Sequence, residues 1–72
     1  MSNYTLVTTT TDGQQHTTST DFPDDEAIIQ SVRDQVSEKY VSIAIARGLG
    51  DEVDWMGVWD WNEGSPTWAP DT

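Results

Sequence analysis

The sequence contains no cysteine, which excludes disulfide bonds and thiolate metal ligands. A chain of 72 residues forms one domain, and packing alone must hold it together. A domain of this size buries only about 60% of the surface that its unfolded chain exposes, so its stability is marginal. The 4 tryptophans are the heaviest expected contributors to the core, because each can bury about 150–250 Å².

Basic residues are also scarce. Lysine and arginine together number 3 against 13 aspartates and glutamates, for a formal net charge of −10. A field of this sign repels nucleic acid and anionic membranes and attracts basic protein surfaces at low salt. We therefore expect a basic protein partner and no direct contact with nucleic acid or membrane. Solubility, or adaptation of a whole proteome to high salt, is the alternative explanation of the acidity.

Long apolar runs are missing too. No stretch approaches the roughly 18 apolar residues of a membrane span, and residues 1–4 lack the basic segment and apolar stretch of a signal peptide. These features favour a cytoplasmic protein, in the host cytoplasm if the gene belongs to a phage. We expect one domain over residues 1–64 and an aperiodic tail over residues 65–72.

The first part of the chain predicts a β-hairpin. Residues 3–11 and 14–20 are rich in threonine, which favours strands, and the Asp-Gly pair between them is typical of a two-residue type I′ turn. Such a turn pairs Thr11 with Gln14, and therefore Thr9 with His16 and Val7 with Thr18. The second strand is nearly all polar, so we expect it at an edge of the sheet.

The middle of the chain predicts a helix over residues 23–38. Pro23 suits its first turn, and the acidic residues that follow suit the positive end of the helix dipole. Apolar residues then recur at helical spacing. They are Ile28, Ile29, Val32, Val36 and Tyr40.

Two further strands follow the helix. Residues 40–46 are uncharged and apolar, as expected of a strand in the middle of a sheet, and residues 53–61 alternate with a period of two. The order ββαββ predicts an α+β fold, in which a four-stranded antiparallel sheet carries the single helix on one face.

The last strand is apolar on both sides, which leaves two arrangements open. In one, the tryptophans at positions 55, 59 and 61 lie under the helix and build the core. In the other, Met56 and Val58 lie under the helix and the tryptophans form an exposed patch of the kind that marks an interaction site. Trp68 either folds back onto the core or belongs to the tail.

No group of residues predicts catalysis. His16 is the only histidine, no glycine-flanked nucleophilic serine is present, and Gly48 and Gly50 lack the third glycine and the lysine of a phosphate-binding loop. Two carboxylate clusters, one at the helix start (residues 21–26) and one around the start of the last predicted strand (residues 51–54), lack the spacing of a calcium-binding loop. We therefore expect no enzymatic activity, no cofactor and no dedicated metal site.

Size, acidity and the lack of catalytic residues together suggest a function. In these respects the chain resembles small acidic inhibitors of phages and mobile elements, namely anti-CRISPR proteins, anti-restriction proteins and DNA mimics. The resemblance rests on general character and not on a diagnostic motif. It implies a non-catalytic protein that occludes a basic surface of a nucleic-acid-handling partner. The residues expected to bind the partner are Asp24, Asp25, Glu26, Asp51, Glu52 and Asp54, with Trp59 or Trp61 as the apolar anchor.

The alternative function is a self-associating or structural accessory module. In that case the tryptophan-rich sheet face, or the polar edge strand at residues 14–20, contacts a second copy or a neighbouring subunit. The charge would then serve solubility or salt adaptation.

Overall fold

The fold comprises one helix and one antiparallel sheet. A computed structural model describes residues 2–70. Its elements in chain order are β1 (Ser2–Thr9), β2 (Gln15–Phe22), α1 (Asp25–Arg33), β3 (Ser42–Arg47), β4 (Asp54–Asn62) and β5 (Ser65–Pro70).

The sheet has five strands in the order β2-β1-β3-β4-β5. The predicted α+β class, the single helix, the central position of β3 and the edge position of β2 are confirmed. The prediction of four strands is wrong, because residues 65–70 of the expected tail pair with β4. Residues 71 and 72 lie outside the described residues.

The turn before β5 explains why the fifth strand forms. Asn62 pairs with Ser65, and the two residues between them, Glu63 and Gly64, have φ angles of 53° and 81°. Positive φ at both central positions defines a type I′ hairpin turn. Pro66 and Pro70 are compatible with β5, because an edge strand tolerates proline where the missing N–H would face solvent.

The first hairpin pairs one residue out of the predicted register. Thr8 lies opposite His16, and Thr9 lies opposite Gln15. The N–H of Thr10 donates to the carbonyl of Gln14 at 2.9 Å, and only Gly13 in this loop has a positive φ, 89°. The turn is therefore a three-residue loop with glycine in the left-handed position, and not the predicted two-residue type I′ turn.

The helix is shorter than predicted. Asp24 caps its N-terminus by accepting a hydrogen bond from the N–H of Ala27 at 2.8 Å, so Pro23 lies before the helix. Asp34 caps the C-terminus. The apolar stripe of the sequence still reaches the core beyond this point, since Val36 is buried, whereas Tyr40 is exposed.

The core lies between the helix and one face of the sheet. Alternate residues of β1 and β3 face the helix, so that Leu6 lies opposite Ile45 in the ladder, and Ile28 and Val32 of the helix are completely buried against them. Within residues 2–70, the buried residues of the cluster under the helix are Tyr4, Leu6, Ile28, Val32, Val36, Ile43, Ile45 and Trp59.

A β-bulge in β4 distributes the tryptophans over both faces of the sheet. Ile45 pairs with Gly57, but Ala46 pairs with Trp55, so Met56 is an extra residue in the ladder. An extra residue reverses the alternation of the strand. Trp59 therefore joins Ile43 on the helix side, while Trp55 joins Ala46 on the open side. Neither predicted arrangement is correct by itself, because both assumed strict alternation along β4.

Candidate partner-binding surface

The two predicted carboxylate clusters meet at one end of the sheet. The N-terminus of α1 lies there, because Asp25 contacts Tyr4 near the start of β1. The β3–β4 loop begins at the same end, where the N–H of Gly48 donates to the carbonyl of Asn3 at 2.9 Å. We call this end of the sheet the acidic end. Its carboxylate residues are Asp21, Asp24, Asp25, Glu26, Asp51, Glu52 and Asp54.

Arg47, the last residue of β3, links the two clusters. One terminal nitrogen of its guanidinium lies 2.6 Å from Oδ2 of Asp25, and the other lies 3.0 Å from Oδ2 of Asp54. Nε of Arg47 also donates to the Asp25 carboxylate, at 3.2 and 3.1 Å. A planar guanidinium suits this role, because it donates several hydrogen bonds in fixed directions. Arg47 thus ties the helix to β3 and β4.

Hydrogen bonding shifts the pKa values of Asp25 and Tyr4. The Arg47 guanidinium, and then the Tyr4 hydroxyl, lower the pKa of Asp25 below its ordinary value. The Tyr4 hydroxyl donates to Oδ1 of Asp25 at 2.7 Å, and this bond, together with burial, raises the pKa of Tyr4. Asp25 is therefore ionised at neutral pH and holds its position.

The predicted acidic residues consequently differ in their roles. Asp25 and Asp54 are paired with Arg47 at the junction of helix and sheet, and Asp24 caps the helix. The carboxylates of Glu26, Asp51 and Glu52 are exposed at the same end. Asp21, which was absent from the predicted set, joins them because it pairs with Asn3 at the start of β1. The sequence also indicates this position, because Asp21 lies only three residues before the helix cap Asp24.

The predicted apolar anchors lie on the helix side of the sheet. Trp59 is 6% exposed, and its indole N–H donates to the carbonyl of Ile29 at 2.9 Å. The Trp68 ring packs against it with a centroid separation of 5.4 Å, so Trp68 caps the core. Trp61 is half-buried against the same core. The exposed indole belongs to Trp55, with 44% of its surface accessible.

Trp55 borders a groove on the face of the sheet that the helix does not cover. The groove has a volume of about 330 Å³. It lies between Ala44 of β3, Val58 of β4 and Ala69 of β5, which are neighbours in the ladder. Small residues leave this part of the sheet flat, and Trp55 stands at the side of it nearer to the acidic end.

The opposite end of the sheet is less negative, because Arg33 and Lys39 lie there among five carboxylates, namely Asp12, Asp34, Glu38, Asp60 and Glu63. Arg33 lies in the last turn of the helix, and the carbonyl of Lys39 accepts a hydrogen bond from the N–H of Thr11 at 3.0 Å. Two of the three basic residues thus lie away from the acidic end, where Arg47 is the single basic residue within residues 2–70. A wide polar hollow of about 690 Å³ near Lys39 contains His16 and threonine hydroxyls.

Comparison with known proteins assigns no family. Among the families, curated proteins and solved structures compared with the chain, none matches it. Within residues 2–70, no helix is long and apolar enough to cross a membrane. The same part of the chain contains no group of three or more histidine, aspartate or glutamate side chains placed to hold a metal ion.

Proposed function

We propose that this chain is a non-catalytic, acidic binding protein that occludes a basic, nucleic-acid-binding surface of a protein partner, as DNA-mimic inhibitors do. One observation supports this above all. Two carboxylate clusters that are separated in sequence converge on one end of a compact sheet, with Arg47 as the single base among them. Such a cluster of negative charges is complementary to a partner surface that binds phosphates.

The uneven distribution of charge indicates that the acidic residues serve binding and not solubility alone. Solubility requires net charge but no particular placement. Here Arg33 and Lys39 offset part of the negative charge at the opposite end, so the acidic end carries the larger share of the net charge. Such asymmetry orients an approaching basic partner and raises the rate of association.

A charge-matched pair of variants tests the proposal. The first removes three carboxylates from the acidic end (Glu26→Gln, Asp51→Asn, Glu52→Gln). The second removes three from elsewhere (Asp34→Asn, Glu38→Gln, Glu63→Gln). Each variant changes the net charge by the same amount, so a difference between them reports the position of the charges.

The assay is co-purification from a lysate of the source organism, or of its host if the gene is viral, over a salt series from 50 to about 500 mM. We expect the unmodified chain and the second variant to retain a basic, nucleic-acid-handling protein at low salt, and the first variant to lose it. Added DNA should compete for that protein. If no such partner is retained at low salt, or if both variants lose it equally, the proposal is wrong.

Self-association is a second candidate function, and the structure of β2 favours it. This edge strand has eight residues and contains no proline, lysine or arginine, which are the residues that commonly protect sheet edges. Pairing of β2 with β2 of a second copy would extend the sheet across a dimer. Light scattering at high protein and high salt concentration tests this, since screening removes the charge repulsion. A monomer under those conditions excludes it.

A further inference from the structure

The open face of the sheet places an exposed tryptophan, an apolar groove and carboxylates in one line along β4. Trp55 and Val58 lie on this face opposite Ala46 and Ala44, and Asp60 follows on the same face opposite Ser42. Side chains on one face of a strand repeat about every 6.6 Å, so the line from Trp55 to Asp60 spans about 13 Å. Its Trp55 end adjoins the acidic end, and its other end is the exposed carboxylate of Asp60.

This line is complementary to an extended segment with a defined pattern. In an extended chain, residues i, i+2 and i+4 point to one side with the same 6.6 Å spacing. An apolar side chain at i+2 fits the groove between Ala44, Val58 and Ala69. A cation at each of the outer positions meets Asp60 at one end, and the Trp55 ring with the acidic end at the other. Arginine suits the second position, because guanidinium groups stack on indole rings.

We propose that the chain recognises a partner segment of the pattern arginine or lysine, any residue, apolar residue, any residue, arginine, held across the open face against Trp55. This inference rests on the proposed function and specifies the chemistry of the partner. It replaces Trp59 and Trp61 with Trp55 as the apolar anchor.

The net charge of the chain favours a basic partner segment over a second copy of the chain as the occupant of the groove. Two copies each bring a formal net charge of −10 to the interface, so face-to-face contact is opposed at ordinary ionic strength. A basic segment gains from the same charges. Ala69 and Pro70 of the edge strand β5 bound the groove on one side.

Three synthetic peptides with blocked termini and equal charge test the inference. They are Arg-Ser-Val-Ser-Arg, its glycine analogue Arg-Ser-Gly-Ser-Arg, and the rearranged Arg-Arg-Ser-Ser-Val. Each is titrated into the ¹⁵N-labelled full chain at low salt, and amide and indole N–H shifts are followed. We expect the first peptide to bind about ten-fold more tightly than the other two, because only it places an apolar side chain in the groove between two cations. Shifts should concentrate at Trp55, Val58 and Ala69.

Variants locate the contact. Trp55→Ala should weaken binding of the first peptide, because it removes the ring on which arginine stacks and one wall of the groove, and Trp55→Phe should retain part of the affinity. Tyr40→Ala is the matched control, because Tyr40 is an exposed aromatic residue near the opposite end of the sheet. An unchanged indole N–H shift of Trp59 in each variant confirms that the fold is intact.

The outcomes separate this inference from the proposed function. If all three peptides bind equally and Trp55→Ala has no effect, the groove inference is wrong while an acidic binding surface stands. The inference is also wrong if no peptide binds. It is wrong as well if the N–H shifts of the groove residues change with protein concentration in the absence of peptide, because a second copy of the chain then occupies the open face. The charge-matched co-purification decides the proposed function independently.

Discussion

Because the tryptophans lie on two faces of the sheet, we expect the substitution of tryptophan by phenylalanine to have different effects on stability at Trp59 and at Trp55. Trp59→Phe removes the indole N–H that donates to the Ile29 carbonyl at 2.9 Å, in a side chain that is 6% exposed. Trp55→Phe changes a side chain that is 44% exposed on the open face. The bulge at Met56 is the reason that two residues of one strand, separated by an even number of positions, face opposite ways.

The magnitude for Trp59→Phe is the sum of three losses. The hydrogen bond contributes about 1 kcal/mol, and its loss leaves the Ile29 carbonyl without that donor. Less apolar surface is buried, which costs about 1 kcal/mol. A residual void of about 40 Å³ costs about 1 kcal/mol more. We therefore expect destabilisation by about 3 kcal/mol, against less than about 0.5 kcal/mol for Trp55→Phe.

Thermal and urea denaturation followed by far-ultraviolet circular dichroism measure both values without relying on tryptophan emission. In a domain of this length, about 3 kcal/mol corresponds to a fall in Tm of roughly 12–24 °C. That is a large part of the stability of a small domain, so Trp59→Phe must be measured from low temperature upward. Equal costs for the two substitutions, or a larger cost at Trp55, would refute the assignment of faces and the bulge that produces it.

Three further predictions concern the backbone and the polar contacts. Gly57→Ala should destabilise the fold by about 2–3 kcal/mol, because a Cβ there would lie 2.7 Å from a carbonyl oxygen of β5. At Gly64 an added Cβ would meet no atom within 4 Å, so Gly64→Ala should cost only the backbone strain of about 1 kcal/mol in the same urea assay. Asp24→Ala should cost about 1 kcal/mol through loss of the N-cap, whereas Asp24→Asn, which also caps, should cost much less. Asp25 has a pKa lowered chiefly by Arg47, so its contribution is present above the ordinary aspartate pKa of about 4 and is lost as the pH falls through the lower folded-state value. The stability difference between the unmodified chain and Asp25→Asn should therefore be constant near neutral pH and shrink as the pH falls below the ordinary aspartate pKa, and a difference that does not shrink in acid contradicts this.

Elements with a strong local signal could be predicted from the sequence. The apolar, uncharged β3 is central in the sheet, and the polar β2 is at its edge. The N-terminal end of the helix was predicted within two residues, because its acidic residues and Pro23 are local signals. The convergence of the two carboxylate clusters follows from the antiparallel order of the strands.

The wrong predictions of strand pairing fall where one additional residue in a loop or strand shifts the register between two strands. At Gly13, a three-residue loop and a two-residue turn use the same Asp-Gly sequence and differ by one position in pairing. At Met56, a bulge reverses the orientation of Trp55, and no residue in the strand signals it beyond Gly57, whose lack of a side chain lets Trp68 approach. The fifth strand was missed because its two prolines argue against a strand in the interior of a sheet but not at its edge.

The placement of Arg47 connects the stability of the chain with its proposed role. Without a base among them, the carboxylates of Asp25 and Asp54 would repel each other across the junction of helix and sheet, and a small domain has little stability to oppose that repulsion. One guanidinium that contacts both removes this repulsion, yet it leaves Glu26, Asp51 and Glu52 exposed around it. Arg47 therefore offsets part of the repulsion at the acidic end and does not neutralise it. An acidic surface that served solubility alone would not require its carboxylates to be assembled around a structural arginine, because dispersed charges achieve the same effect without that cost.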